Sequence, residues 1–430
     1  MRIKRFFLFA GAAIAGAALF ASCGEKEQIG GEDDPKNPDS EVVLKDGQVV
    51  EHTFVRKAAA RIELDMSKDE TELFQKSDSF AIKMFNAVCE NKGDENFCFS
   101  PLSVQVVLYM LCNGVDNSNY VEMSQALFGE YVSLDEVNNS FGRLKDALDS
   151  TNCVKLSNGM WLQTGTNVSD EYIDVVRNSY YSEFGFLDFN SDPQSALDSI
   201  SQWAYDNTYG KLKKMDLESF ELKKPMVQAN TAWFASSWLQ AFDQNATYTG
   251  QFTTSSGQTQ NVSMMKLIGG YGCVYDDPDS SYLMVSLPFE HQSFWMDIIV
   301  PGDGVSLDLI MPYVDWSANL RKQPTEKINL DMPRFSIDSD LKMRSVLESL
   351  GVSAPFRSLP RIAPLIQADY LNQKVKIDVT ESGVEAAAIT VGTFSMSLPR
   401  IITIDGPFAF AIRDDISRTH LFMGRVNSID

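Results

Sequence analysis

Histidine is almost missing from this chain: His52, His291 and His420 are the whole supply in 430 residues. Nucleophilic catalysis by serine needs a base within reach, and three scattered imidazoles offer little to build one from. The Gly-x-Ser-x-Gly elbow, the His-Glu-x-x-His pair, the P-loop and the dinucleotide glycine fingerprint are also absent. Adjacent carboxylates at Asp276-Asp277 and Asp414-Asp415 read as solvated charge in turns. An enzyme is not expected, and nothing calls for a cofactor. Cysteine is scarce too. Apart from Cys23 there are Cys89, Cys98, Cys112, Cys153 and Cys273, an odd number at spacings that indicate neither a disulfide framework nor a metal site. Buried apolar thiols are the expectation. Positive charge is the minority sign, with 37 Lys and Arg against 58 Asp and Glu, a formal net charge of −21. Nucleic acid and anionic membrane surfaces both repel such a polyanion. Internal repeats are lacking, so the body of the chain reads as one large domain.

What is present begins with a basic, then apolar, N-terminus. Arg2, Lys4 and Arg5 precede the apolar run 6–20, the order of an export signal. Polar Gly24-Glu-Lys-Glu27 follows too closely for a transmembrane helix. Leu19-Phe-Ala-Ser-Cys23 resembles a bacterial lipobox, whose cysteine becomes the lipidated first residue; Phe20 stands where Leu is more usual. Residues 1–22 are read as a lipoprotein signal peptide. Its removal takes away three positive and no negative charges, so the formal charge goes from −21 to −24. Residues 23–60 are read as a flexible tether, since 24–40 is mostly Gly, Glu, Asp, Pro and Lys and buries too little surface to fold. The β-capable Glu41-Val-Val-Leu44 and Gln48-Val-Val50 suit either a short extension strand or more linker. The expected location is the cell envelope, lipid-anchored in the outer membrane, facing periplasm or exterior.

The globular domain, 61–430, opens with Phe74, Phe80, Ala81, Met84, Phe85 and Val88 at helical spacing, stopped by Asn91-Lys-Gly93. Asn96-Phe-Cys-Phe-Ser-Pro-Leu-Ser103 predicts a buried strand, a serine cap and a proline-led helix over 104–112. Strands are predicted at 157–162, 227–234, 264–265, 287–289, 294–301 and 329–335, and helices over 170–180 and 341–350. Gly351 is a fitting C-cap for the last. Asn230 is polar amid apolar neighbours in its strand, so it must hydrogen-bond beneath the sheet or cost about 1–3 kcal/mol.

Near the C-terminus, Lys374-Val-Lys-Ile-Asp-Val-Thr380 alternates, with Val375, Ile377 and Val379 on one face. The stretch Glu381-Ser-Gly-Val-Glu-Ala-Ala-Ala388 follows where a loop is due. It is small and β-capable, with Gly383 free of Cβ restrictions, so it suits either an exposed loop or a sheet strand. Its residues Glu381, Gly383, Glu385, Ala386, Ala387 and Ala388 resemble the reactive-loop hinge of the serpin family, with Val384 in place of Thr or Ser and a bulkier Ile389. The resemblance extends to Gly406-Pro-Phe-Ala-Phe-Ala-Ile-Arg413, Leu421-Phe-Met-Gly-Arg-Val426, Ile200-Ser-Gln-Trp-Ala204, Thr208-Tyr-Gly-Lys-Leu212 and Ala368-Asp-Tyr370. Asn119, where Thr is usual, is a mild departure.

The resemblance implies an α+β serpin fold: a large mixed or antiparallel main sheet, further sheets, about eight or nine helices and an exposed reactive-centre loop. It places Asn96, Ser100, Pro101, Ser103 and Asn230 at the shutter, and Trp238 and Arg334 at the breach, where Arg334 is expected to grip Glu381 through two donors. It implies suicide-substrate trapping of serine, and by extension cysteine, proteases. After cleavage the hinge inserts, with Val384, Ala386, Ala388, Thr390, Gly392 and Phe394 on the buried face and Glu385, Ala387 and Ile389 outward. The bait bond is taken as Met396-Ser397, with Ser397-Leu398 and Phe394 as alternatives. Burying Met in a primary pocket gains ~1–2 kcal/mol over Ser. The expected partners are elastase-, chymotrypsin- or subtilisin-like proteases, bound by a monomer; Arg400 lies too far along for trypsin-like bait. A non-inhibitory serpin-fold binding or carrier lipoprotein is the alternative. A glycan-binding lipoprotein is the third class; it needs clustered surface aromatics, whereas the six tryptophans fall mostly in predicted core.

Overall fold

The computed structural model describes residues 59–210, 226–279, 281–368, 371–384 and 398–429, with two short strands before them. In chain order these are β1 (Val42–Val43) and β2 (Val49–Val50), an antiparallel pair, then α1 (Lys68–Lys92), β3 (Phe97–Phe99), α2 (Pro101–Cys112), α3 (Asn117–Phe128) and α4 (Leu134–Asp149). Next come β4 (Val154–Gln163), α5 (Asp170–Tyr180), β5 (Glu183–Leu187), α6 (Pro193–Asn207), β6 (Met226–Phe234), β7 (Ser236–Ser237), β8 (Tyr248–Thr253) and β9 (Thr259–Asp276). They are followed by β10 (Tyr282–Pro288), β11 (Phe294–Pro301), α7 (Leu307–Ile310), β12 (Glu326–Pro333), β13 (Phe335–Lys342) and α8 (Arg344–Ser349). The chain closes with β14 (Asn372–Thr380), β15 (Gly383–Val384), β16 (Arg400–Thr403), β17 (Phe408–Asp414) and β18 (Thr419–Val426).

Helix starts follow local chemistry. Ser67, Ser100, Asp116, Ser133, Ser169 and Asp192 each accept a hydrogen bond from a first-turn N–H, and Ser67 with Glu70 forms a full capping box. Every residue of α2 is buried, so it threads the core rather than lying on it. One expectation fails: residues 341–342 belong to a strand, and the helix predicted over 341–350 is only Arg344–Ser349. Residues 335–342 alternate buried and exposed, and Leu341 pairs with Gln373 on β14, so strict period-two burial overrides the helical spacing. Another expectation fails in part. Asp414 is not solvated but fully buried in a two-bond contact with Arg61, and Asp415 accepts from Arg413, whereas Asp276 is exposed as expected and takes both Arg400 donors at the surface.

Two sheets carry the fold. The second sheet runs β16-β12-β9-β10-β11-β17-β18-β3, with β8 on the edge of β9. The main sheet runs β5-β4-β6-β14-β13, with β15 and β7 joined at the top of β14. Residues of β6 are buried throughout because both faces are covered. One face meets the main core. The other carries Val227 and Ala229 into a small cluster with Trp161, Ile200, Trp203 and Ala204, which brings in α6. All six tryptophans are buried, as are the five described cysteines, which are free thiols. Burial pushes the Cys89 thiol up to about 12, against the pull of Arg425, so it is inert at neutral pH.

Between β6 and β14 the sheet is nearly split. They run parallel and share one pair, Thr231 with Lys374. Parallel neighbours in a packed sheet ordinarily share a ladder along their length. Here the ladder is a single rung.

Candidate functional site

The upper end of that split is filled by the start of the stretch singled out in the sequence. Val375, Ile377 and Val379 face inward from β14. After Thr380 the chain turns back, and β15 pairs antiparallel with β14 (Val379 with Val384, Thr380 with Gly383) and with β7 (Gly383 with Ser237, Val384 with Ser236). Glu381, Ser382 and Val384 are buried, so the expected exposed loop begins as a buried turn, Glu381-Ser382, and two residues, Gly383 and Val384, that already lie in the sheet. Gly383 has φ of +144°, and a Cβ there would sit 2.2 Å from the Ser236 carbonyl oxygen, which only glycine tolerates. Glu385, Ala386, Ala387, Ala388, Ile389, Thr390, Gly392, Phe394, Met396 and Ser397 lie outside the described residues. So do Cys23 and most of the tether, along with Lys211, Leu212, Asp369 and Tyr370. Leu398 is described and is 96% exposed.

Around the turn, three residues, Arg334, Thr247 and Trp238, make the holding contacts. Arg334 donates from Nη2 to Glu381 Oε1 at 2.6 Å, and Thr247 donates to the same oxygen at 2.7 Å. The expected two-donor grip is thus shared between two residues. The Glu381 side chain is 4% exposed and that of Arg334 50%. Burial pushes the Glu381 carboxyl up, but hydrogen bonds from Arg334 and Thr247 outweigh it and leave the group below the ordinary carboxylate range. Trp238 donates from Nε1 to the Thr380 carbonyl at 3.0 Å and from its backbone to Ser382, while its ring stacks on Phe289 at 4.6 Å.

Halfway down the split lies a buried polar knot centred on Asn230. Its Oδ1 accepts from Ser103 Oγ at 2.7 Å and from Gln373 Nε2 at 3.0 Å, and its Nδ2 donates to Asn158 Oδ1 at 2.7 Å. Gln373 also accepts from the Ser100 N–H and donates to the Ser100 carbonyl. Helix α2, capped by Ser100 and opened by Pro101, thereby bridges β6 and β14. Asn96 is not part of this knot. It clasps the chain after β18, accepting from Asn427 and Ser428 and donating to the Ser428 carbonyl, because it precedes β3 on the far side of that short strand. Sequence reasoning missed Gln373 and the role of Asn158. The signal was available for Gln373, a polar residue at the same parity as Val375, Ile377 and Val379.

The distal end of the loop is fixed elsewhere. Strand β16 lies parallel on β12, and Arg400 is held to Asp276 by bonds of 2.8 and 2.6 Å.

A main sheet nearly split between β6 and β14, with β15 seated at one end of the split and a buried polar knot across its middle, marks the architecture of one class of protein. The family model described as Serpin (serine protease inhibitor) matches residues 75–429, and the chain belongs to that family, whose members are generally serine protease inhibitors. Human Serpin I2 is 26% identical over 377 residues, covering 83% of this chain and 91% of that protein. An uncharacterized serpin-like protein of Thermococcus kodakarensis is 28% identical over 369 residues, covering 81% of this chain and 84% of the other. Among solved structures, protease nexin-1 with heparin superposes with a TM-score of 0.74 at 21% identity, covering 84% of this chain and all of that one.

Proposed function

We propose that this protein traps serine proteases, and cysteine proteases as a secondary class, by letting its cleaved reactive loop enter the main sheet. The observation that carries this is β15: the hinge is already paired on both sides at the mouth of a slot closed by one rung. Carried on unchanged, the β14 and β7 registers agree. Both put Ile389 between Lys374 and Thr231, so insertion replaces the single parallel rung with two antiparallel ladders. On the inward face Ala386 falls between Ile377 and Phe234, and Ala388 between Val375 and Ala232, among buried side chains, where small residues pack most easily. Thr390 falls between Gln373 and Asn230, where its hydroxyl replaces the bond it breaks.

The protease supplies the covalent chemistry. It attacks the bait bond, taken as Met396-Ser397, and forms an acyl-enzyme. The freed strand then inserts and carries the enzyme away from its docking site. Its catalytic geometry is distorted and deacylation stalls. The uncleaved form is held kinetically above the inserted one. In this reading the chain is an exported monomer, anchored in the cell envelope through lipid on Cys23, acting on elastase-, chymotrypsin- or subtilisin-like proteases. The test is incubation with a panel of serine and cysteine proteases. Denaturant-stable complexes and a released peptide starting at Ser397 are expected; a start at Leu398 moves the bait bond by one residue. Turnover of the chain as an ordinary substrate by every protease overturns the reading.

A further inference from the structure

The segment leading into the domain is bound at three places around the mouth of the slot. The Ala59 N–H donates to the Thr151 carbonyl at 2.9 Å, and the Ile62 N–H to Ser150 Oγ at 2.9 Å. Both acceptors lie in the turn that leads into β4, and Cys153 in that turn accepts from the Ala235 N–H, between β6 and β7. Arg61 reaches across to the second sheet. Its guanidinium bonds both oxygens of Asp414 at the end of β17, with side chains 6% and 0% exposed. The backbone of Ala59 and the Arg61 charge also lie beside His291, in the turn between β10 and β11.

From that turn a continuous line of rings leads to the hinge. His291 packs on Phe294 at 5.2 Å, Phe294 on Phe234 at 5.6 Å, Phe234 on Phe289 at 5.0 Å and Phe289 on Trp238 at 4.6 Å. Trp238 holds the Thr380 carbonyl, next to Glu381. For a strand to enter between β6 and β14, the β5-β4-β6 part of the sheet must move away from β14 and over the second sheet beneath it. Residues 59–62 tie the upper end of that moving part to the stationary one. The tie at Arg61 is strong for its size, because an ion pair this deeply buried cannot loosen without exposing or orphaning a charge.

We propose that residues 59–62 form a latch on sheet opening: bound, they hold the slot shut below the seated β15, and released, they let β6 part from β14. This rests on the reading that the sheet takes up its own hinge as a strand. The latch takes in the last two residues of the segment read as a tether, 59 and 60, so that whatever holds the N-terminus acts on the element that controls the sheet.

The experiment measures annealing of a fluorescent synthetic peptide with the sequence of residues 384–394 to the full-length protein at a temperature below unfolding. Wild type should take it up slowly. Arg61→Ala should anneal at least tenfold faster, Asp414→Asn an intermediate amount, and Arg61→Lys, which keeps the charge, within about twofold of wild type. Because Arg61→Ala also lowers global stability, Val106→Ala in α2 serves as the control. Equal acceleration by that core variant, or no acceleration by Arg61→Ala and Asp414→Asn, overturns the latch. If Arg61→Ala does not fold, removal of residues 1–61 compared with removal of 1–58 gives the same contrast. Failure of wild type to bind the peptide even on warming sinks the insertion reading itself, a separate outcome.

Discussion

Glu381 sits where strand ends and hinge begins, and its buried carboxylate depends on Arg334 and Thr247 for compensation. Glu381→Lys puts two positive charges together in a site that excludes most water, so the turn should leave the sheet. The variant should polymerise on mild warming, and Arg334→Glu should restore much of the lost resistance. Native-gel polymerisation rates across the double-mutant cycle check this; additive effects with no rescue would mean that the pair does not guard the sheet. A pH effect follows with a definite sign. The folded carboxyl lies below its unfolded value of about 4.3, so its contribution is complete above that value and is lost as pH falls through the lower folded one. Polymerisation should therefore quicken below about pH 4 in wild type. With Glu381→Gln that acid step should be smaller. At the knot, Gln373→Ala strips a partner from Asn230 and from both backbone groups of Ser100, at a cost of about 1–3 kcal/mol. A lower unfolding midpoint and faster polymer formation are expected. An unchanged midpoint would show that water replaces the amide without loss.

At the scale of elements, the incoming strand is constrained by parity. Val384 is already buried facing the core, so positions 386, 388 and 390 follow it inward. Ala386→Arg would place a guanidinium between Ile377 and Phe234 with no partner, a penalty of several kcal/mol at the stage when insertion races deacylation. The protein should become a substrate, cleaved at the bait bond without forming stable complexes. Ala387→Arg, pointing outward, should remain an inhibitor. Equal loss of inhibition in both variants would contradict the alternation.

For the whole molecule, the acidic composition and the lipid proposed on Cys23 pull in different directions. A chain of net charge −21 has no electrostatic attraction to anionic lipid, so the membrane anchoring proposed above rests on acyl chains at Cys23. Cys23→Ala should move the protein from the detergent phase to the aqueous phase of a detergent separation. Wild type already in the aqueous phase would remove the lipoprotein reading.

Local sequence by itself determined the helix caps, the alternating strand before the hinge, the small residues of the hinge and the buried Asn230, because each depends on residues a few positions away. It also carried the family resemblance, since those patterns recur at matching spacings from residue 96 to 426. Parity alone would have revealed Gln373. Only the tertiary structure decided that Asn96 serves the C-terminal end rather than the knot, that Asp414 is buried, and that Glu381 shares its donors between Arg334 and Thr247. The same is true of Gly383 and Val384, seated as a strand rather than a free loop. The side-chain contacts among these join residues 47 to 353 positions apart, and β15 meets β7 from 146 to 148 positions away. Which distant groups meet is fixed by strand register and sheet order, and no local spacing encodes either.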